Sequence, residues 1–600
     1  MSKIPSLAPM RQLNRPRPTV EVERRTDGTL LLSAGRDLPQ DRPLIIDRLQ
    51  EAAARRPNVT FLAQRRGPRR QWQHLTYAEA WGRTGAVASW LIAQGYGPQS
   101  PPAAILSANS LEQALFLFGV QRAGLVVASL SPNYSLYGDP VRLDHALDLV
   151  QPALVFAQES AAYGAALDRA ALHGARIVTA DGKRGLAFGA LANTSVDAAV
   201  AERRLHITAD TPAKILFTSG SAGPPKAVLN THGNLAAAIE MMRAVSEPAD
   251  EGHVPVMLDW LPWHHTAGGN TSLNSIVRLA GTLYIDDGRP MPGRFQETID
   301  NLGELSPSYF GSVPAAFPPL IETLERNGAF RHKFFKNLRS LGYGGALLPQ
   351  ENFNRLQAMA AAQLGERLPF GSGWGMTETT GTGFIVYWNV DRAGLLGLPL
   401  PGVTAKLVPV EDRYELRVKG PNVMASYYRN PEATQAAFDD EGFLRTGDAA
   451  RWIDPTRPVA GLAFAGRITE EFKLASGTWV RATTLRDELL GALQPYVREL
   501  VIAAPDRPWL GALVWLDPAV CAGAGWREDL LAGLRAYNAQ AGGSSARILR
   551  LLPLVEPPSA VAGEITDKGT INGRRVLECR AADIARLYAE PADPEVIVAG

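Results

Sequence analysis

The segment Ile215-Leu-Phe-Thr-Ser-Gly-Ser-Ala-Gly-Pro-Pro-Lys226 is an apolar run that breaks into hydroxyls, glycines and one cation. The apolar start suits a buried strand. Thr218, Ser219 and Ser221 carry hydroxyl donors. Gly220 and Gly223 let backbone N–H groups turn toward one point, which makes a concave surface for an anion. Lys226 adds a positive charge. Together these groups suit a polyphosphate. The set is not a Walker loop, which needs Gly, four residues, then Gly-Lys-Ser/Thr. Here Pro225 precedes the lysine and Ala227 follows it. The competing reading is a plain polar hairpin turn between two strands.

Four other polar breaks carry groups of use beside a phosphate. Gly373-Trp-Gly-Met-Thr-Glu378 offers a hydroxyl at Thr377 and a carboxylate at Glu378, the oxygen ligand that Mg²⁺ accepts beside phosphates. Trp374 suits either base stacking or core packing. Phe443-Leu-Arg-Thr-Gly-Asp448 places an aspartate after a glycine turn, where it either bonds its own backbone or accepts two sugar hydroxyls. Gly466-Arg467 follows about twenty residues later, at a shift in composition. Gly563-Glu-Ile-Thr-Asp-Lys-Gly-Thr-Ile-Asn572 is a glycine-flanked loop with one lysine, Lys568. His264 and His265 are adjacent, so they cannot share a strand face and do not suit a metal pair.

The elements that must position these groups follow from local signals. Val20–Glu23 and Leu30–Leu32 flank Asp27-Gly28, a hairpin turn. Thr76-Tyr-Ala-Glu79 is a capping box that opens a helix ending near Gly95. Ala103–Leu106 is a strand, Ser110 caps the next helix, and Leu125–Leu130 is another strand. Strand, helix and strand with short loops predict a parallel sheet. Leu154–Phe156, Arg176–Thr179, Met257–Pro262 and Leu338–Tyr343 continue the strands, with helices over Asn234–Ala244 and Pro314–Arg326. Val403–Val410 and Tyr414–Lys419 alternate or nearly so, and predict antiparallel structure. Beyond about Arg467 a short α+β segment begins, with helices at Thr484–Leu493 and Glu528–Ala539 and strands at Glu499–Ile502 and Leu513–Leu516.

Six hundred residues exceed one hydrophobic core, so several lobes are expected. The net charge of +1 argues against a dedicated nucleic-acid binder. Two cysteines, Cys521 and Cys579, exclude a disulfide framework and point to a reducing compartment. The basic, proline-rich start lacks the apolar core of a signal peptide, and no run reaches the length of a membrane span. A cytoplasmic protein is the expectation.

The order of these segments resembles the adenylate-forming superfamily of acyl- and aryl-CoA synthetases, peptide-synthetase adenylation domains and luciferases. TSGSAGPPKAV, GWGMTETT, LRTGD and the Gly-Arg pair carry the resemblance, with Tyr414 to Pro431 as that superfamily's antiparallel segment. SPNYSLYG, WLPWHHTAGGN, EEFKLASGTWV and EITDKGTINGRRVL are most similar to feruloyl-CoA synthetases. The resemblance implies an α/β fold. A large N-terminal domain over 1–466 would have stacked sheets and a distorted β-barrel-like subdomain. A smaller, mobile α+β domain would cover 467–600.

The resemblance also implies roles. The 218–226 loop would hold the β- and γ-phosphates of ATP. Thr377 would touch the α-phosphate and Glu378 would bind Mg²⁺. Gly345, Ala346 and Trp374 would frame the adenine, and Asp448 and Arg467 the ribose. His265 would lie by the acyl pocket; apart from the resemblance, a planar ring wants an apolar slot with a few polar anchors, for which Trp263, His265, Phe310 and Ser312 are candidates. Ser476 and Gly477 would border the CoA tunnel. The family's C-terminal lysine position is Thr570 here, so the adenylation role passes to Lys568. The hinge residue, usually Asp or Lys, is Thr469. The implied reaction joins a hydroxycinnamate such as ferulate, p-coumarate or caffeate to CoA through an acyl-adenylate. The alternatives are a CoA ligase for a fatty acid or benzoate, an adenylating enzyme that hands its acyl group to a carrier protein or amine, and a non-catalytic nucleotide-binding relative.

Overall fold

The computed structural model describes residues 8–136, 140–218, 225–248, 250–291, 293–468, 471–476, 478–503, 505, 507–518, 520–543, 545–559, 561–566 and 571–599. The chain divides into two compact units. The first comprises residues 1–407, 417–445 and 452–463, and the second 408–416, 446–451 and 464–600.

In the first unit an eight-stranded sheet forms as the strand–helix–strand pattern predicts. Ala103–Ile105 pairs in parallel with Val127–Ser129 and with Leu154–Ala157, which pairs with Arg176–Thr179. Pro212–Phe217, the leading strand, joins Val127–Ser129 in parallel. It then reverses into the return strand, Ala227–Thr231, with Lys214 opposite Asn230 and Phe217 opposite Ala227. Ser426–Tyr427 adds an antiparallel edge, Tyr427 opposite Val228. The Thr76 capping box forms, its hydroxyl accepting from Glu79 N, and Ser110 caps its helix through Gln113 N. The two helices they open, Tyr77–Ala93 and Leu111–Arg122, bury Tyr77, Phe116 and Phe118 against Phe61 and Phe156 in one core. Full burial of each large apolar side chain stabilises by about 1.5–3 kcal/mol over exposure.

A four-stranded sheet in the same unit runs Val256–Asp259, Thr282–Ile285, Thr60–Arg66, Gln71–Thr76. A third set of strands starts with parallel Tyr309–Ser312, Ser340–Gly344 and Phe370–Trp374. Antiparallel Phe384–Ile385 and Leu395–Pro399 continue it, followed by residues 462–463. Its core is aromatic: Phe310, Phe317, Phe334, Phe335, Phe353 and Phe370.

The first hairpin forms between Glu21–Arg24 and Leu30–Ser33, turning at Gly28 with φ 86°. A positive φ is where glycine costs least. Residues 405–407 pair with its second strand.

The second unit is α+β. Val497–Ile502, Leu510–Leu516, Ile548–Leu554 and Ile597–Val598 form a four-stranded sheet, with Leu510–Leu516 and Ile548–Leu554 parallel. Helices Ala482–Ala492 and Trp526–Gln540 cover it through Leu485, Leu489, Leu530 and Leu534.

Candidate active site

Thr218 and Lys226 close the base of the glycine-rich hairpin. Thr218 N donates to the Lys226 carbonyl at 2.9 Å, and Lys226 N donates to Thr218 Oγ1 at 3.2 Å. Ser219, Gly220, Ser221 and Gly223 lie outside the described residues. Lys226 itself is exposed, and its ammonium sits 4.9 Å from the centre of the Tyr427 ring. The pairing of Tyr427 with Val228 sets that contact.

Tyr427 carries the line onward. Its hydroxyl donates to Glu378 Oε1 at 2.8 Å. Burial first, and then the Glu378 carboxylate, push the Tyr427 phenol upward, so it stays a proton donor. Glu378 is only 6% exposed and sits in a 3₁₀ turn, Thr377–Thr379. The following segment bolts that turn in place. Met424 N donates to the Glu378 carbonyl at 2.8 Å, Thr380 Oγ1 donates to the Asn422 carbonyl at 2.6 Å, and Asn422 Nδ2 donates to the Thr379 and Thr382 carbonyls. The sequence thus separates Lys226 from Glu378 by some 150 residues, and the fold joins both to one tyrosine.

Gly345, Ala346 and Trp374 also come together. Gly344 lies opposite Gly373 at the ends of two adjacent parallel strands, so the residues that follow share the carboxyl edge of the sheet. Open α/β sheets bind ligands at that edge. Gly345 has φ 79°, and it and Ala346 are exposed. Trp374 is half-buried and meets Phe384 edge-on at 5.6 Å. Ser312 ends the neighbouring strand opposite Tyr343, is 6% exposed, and its hydroxyl meets no partner among the described residues.

The other residues expected beside the acyl group separate. Trp263, 1% exposed, belongs to the first core. Phe310 meets Phe317 and Phe334 edge-on in the aromatic core. His265 is half-buried, its ring 4.4 Å from that of His264. The Leu261-to-Asn270 stretch turns there: His265 N donates to the Pro262 carbonyl, and the His265 carbonyl accepts from Gly269 N at 2.8 Å. Ala267–Ser272 then winds as a π-helix. Such wide turns are rare and occur mostly at functional sites. Asp259 accepts from Leu261 N at 2.8 Å and from Ser272, the last residue of that turn; burial pushes its carboxyl up to about 7. Sequence reading missed Asp259, Tyr427 and the π-helix.

In the second unit Arg467 Nε donates to Asp448 Oδ1 at 2.9 Å, and Asp448 N donates to Thr446 Oγ1 at 3.1 Å. Asp448 is 3% exposed. Ser476 is exposed and shares a hydrogen bond with Thr478 at 2.8 Å. Gly477, Thr469, Lys568 and Thr570 lie outside the described residues.

The donor set fits Mg²⁺. Among the described residues no three His, Cys, Asp or Glu side chains gather as a metal cage. Mg²⁺ commonly binds through one or two carboxylates together with substrate phosphates, and Glu378 offers one buried carboxylate, joined through Tyr427 to Lys226.

A model of the AMP-binding enzyme family matches residues 49–428, and the chain belongs to that family. Among curated proteins it is similar to the long-chain-fatty-acid–CoA ligase FadD15 of Mycobacterium bovis. The two are 27% identical over 585 residues, covering 86% of this chain and 92% of that protein. It is similar over 40% of its length to the malonate–CoA ligase of Arabidopsis thaliana, 28% identical and covering 41% of that protein. The solved structure of ATP-bound MatB from Rhodopseudomonas palustris has the same fold, with TM-score 0.71 and 24% identity over 90% of this chain and 99% of that one. Among the described residues no helix is long and apolar enough to cross a membrane.

Proposed function

We propose that the protein joins a carboxylic acid to CoA at the expense of ATP, through an acyl-adenylate. The observation that carries this reading is the convergence of Lys226, Tyr427 and Glu378, in a chain whose family binds AMP and whose similar proteins include CoA ligases.

A carboxylate is a poor electrophile, because its leaving group would be oxide. Attack of the acid's oxygen on the α-phosphorus of ATP expels pyrophosphate and leaves a mixed anhydride. A thiolate then attacks the acyl carbon and AMP departs with the electron pair. The protein's share is positioning and charge neutralisation.

Lys226 and the 218–226 loop hold the terminal phosphates, and Thr377 bonds the α-phosphate. Glu378 holds Mg²⁺, which supplies charge neutralisation between the two reacting anions. Asp448 and Arg467 hold the ribose hydroxyls, and Gly345, Ala346 and Trp374 frame the base. Lys568 stabilises the adenylation transition state. Ser476 and Gly477 border the path of CoA, and His265 lies toward the acyl group.

For the acid we favour a hydroxycinnamate. Its support is the resemblance of WLPWHHTAGGN and EITDKGTINGRRVL to feruloyl-CoA synthetases. A buried cluster of Trp260, Leu261 and Val313 beside Ala267 and Ala315, with Ser312 next in the chain, suits a planar ring with a polar anchor. A fatty acid is the second reading, favoured by the similarity to FadD15. Incubation with ATP, Mg²⁺ and CoA across hydroxycinnamates, benzoates, malonate and fatty acids, with the thioester read by mass, separates them. Turnover of fatty acids alone sinks the aromatic assignment. No thioester and no pyrophosphate with any acid sinks the ligase reading.

A further inference from the structure

Lys214 stands in the middle of the first unit's sheet and has no place in the chemistry above. It is 2% exposed, one residue before the apolar run that leads to Thr218. Lysine is almost never fully buried without a partner charge. Among the described residues none is paired with it. Burial alone lowers its ammonium to about 7, with no charged neighbour contributing from the strands or the turn packed on it.

Its bonds are specific instead. Nζ donates to the Gly269 carbonyl and to Asn270 Oδ1, each at 3.1 Å, and both acceptors lie in the π-helix. These two acceptors satisfy two of the N–H donors of the amine. The Asn270 amide then reaches Asn230 Oδ1 at 3.2 Å and the Thr380 carbonyl at 3.5 Å. Asn230 is the residue opposite Lys214 across the leading and return strands.

The turn leaves no room for a side chain at its two glycines. A Cβ on Gly268 would come within 2.3 Å of the Leu261 carbonyl oxygen. One on Gly269 would come within 2.1 Å of the Trp263 carbonyl oxygen and 2.7 Å of Lys214 Nζ. The wide turn is pressed onto the 261–263 backbone and onto the lysine.

We infer that Lys214 is a positioning residue that, through Asn270 and Asn230, locks the π-helix after His265 to the strands of the phosphate loop and to the turn of Thr377 and Glu378. The acyl side and the nucleotide side are thereby held in one register. The Lys214 amine and the Asn270 amide are bonded on both sides, while Asn230 Nδ2 meets no partner among the described residues; a buried polar network fixes an arrangement through the members that are satisfied. The catalytic consequence rests on the ligase reading above. The structural consequence does not.

The test uses the full chain as wild type, Lys214→Met, Lys214→Gln and Asn270→Ser. Amide hydrogen exchange is read beside acid-dependent exchange of pyrophosphate into ATP. Lys214→Met keeps the apolar stem and removes the donors. It is expected to speed exchange over 267–274 and 377–382 by about tenfold or more, and to leave strands 154–157 and 176–179 unchanged. The turnover number should fall about tenfold while the KM for ATP stays within about twofold, since alignment and not ground-state binding is lost. Lys214→Gln restores a donor and should recover part of both effects.

If Lys214→Met does not fold, Asn270→Ser must show the same local pattern. Unchanged exchange in both segments overturns the inference, as does exchange raised equally across the sheet. A wild-type protein with no adenylation activity defeats the proposed function, while the exchange comparison still decides the role of Lys214.

Discussion

Tyr427 donates its phenolic proton to Glu378 at 2.8 Å while its ring lies under the Lys226 ammonium, so one side chain touches both the loop cation and the proposed magnesium carboxylate. The hydrogen bond fixes which carboxylate oxygen remains directed elsewhere, and the ring fixes where the cation rests.

Tyr427→Phe isolates the first contact, because the ring stays and the donor goes. A hydrogen bond to a charged group contributes about 1.5–3 kcal/mol. The variant should therefore need about tenfold or more Mg²⁺ for half-maximal adenylation, with the acid's KM little changed. Titration of Mg²⁺ in a pyrophosphate-release assay reads this. A Mg²⁺ requirement equal to that of wild type would sink the positioning role of the phenol.

Asp448 and Arg467 form the second unit's counterpart. The aspartate is 3% exposed, and its Oδ1 takes the Arg467 Nε–H at 2.9 Å. Removal of one partner from a buried pair costs about 3–5 kcal/mol; Arg467 is partly exposed here, so the lower end or less applies. Arg467→Met should weaken AMP binding by about tenfold or more, and Asp448→Asn should do at least as much if Asp448 takes the proposed ribose role, because an amide accepts hydroxyls less well than a carboxylate. Calorimetric titration with AMP measures both. If Arg467→Met bound AMP as tightly as wild type, the pair would be a structural contact only.

Local features of the fold are legible in the sequence, and so is the parallel sheet of the first unit. The Thr76 capping box, the Ser110 cap and the Asp27-Gly28 hairpin depend on residues within a few positions, and all three form. The strand at Thr60–Arg66 escaped notice because Gln64, Arg65 and Arg66 break its apolar pattern, although its first half is buried. The site was legible as residue types and not as partners. Glu378 announces a carboxylate in a polar turn, but nothing in SYYRNP says which tyrosine meets it; that follows from the register that sets Tyr427 opposite Val228. Ala267-Gly-Gly-Asn270 carries no local helix signal, because glycines disfavour helix, and its π-helix packs on Lys214 and the 261–263 backbone, contacts distant in sequence. Trp263 and Phe310 are candidates for the acyl group because a planar ring wants an apolar slot, and both pack in the cores.

The buried amine of Lys214 makes a pH prediction with a definite sign. The unfolded chain keeps this proton up to about 10.5, and the folded chain releases it near 7 because burial disfavours the charge. Between those values the unfolded state binds more protons, so stability rises with pH. Below 7 both states are protonated and the cost is full. Each tenfold change in proton affinity is worth about 1.4 kcal/mol, so the contribution is on the order of a few kcal/mol. Wild type should gain on Lys214→Met as the buffer moves from pH 7 to 10, read from urea midpoints of the same transition. Parallel midpoints across that range would show that the amine does not titrate inside the fold.

The role proposed for Lys568 distinguishes the two half-reactions. Adenylation brings a carboxylate against a triphosphate, and charge builds on the α-phosphate as the anhydride forms. A cation aimed there lowers that barrier selectively. Thioester formation starts from an acyl-adenylate, whose pyrophosphate has already left, and asks for a thiolate near the acyl carbon and a departing AMP. The same cation contributes little to it. Lys568→Ala should therefore cut pyrophosphate release by at least about a hundredfold while thioester formation from a supplied acyl-adenylate stays within about threefold. Because the resemblance sets Thr570 at the position of that superfamily's lysine, the double variant Lys568→Thr with Thr570→Lys is the sharper probe. Recovery of adenylation there would show that the loop delivers a charge to the α-phosphate from either position. Equal losses in both half-reactions for Lys568→Ala would instead remove Lys568 from the adenylation step.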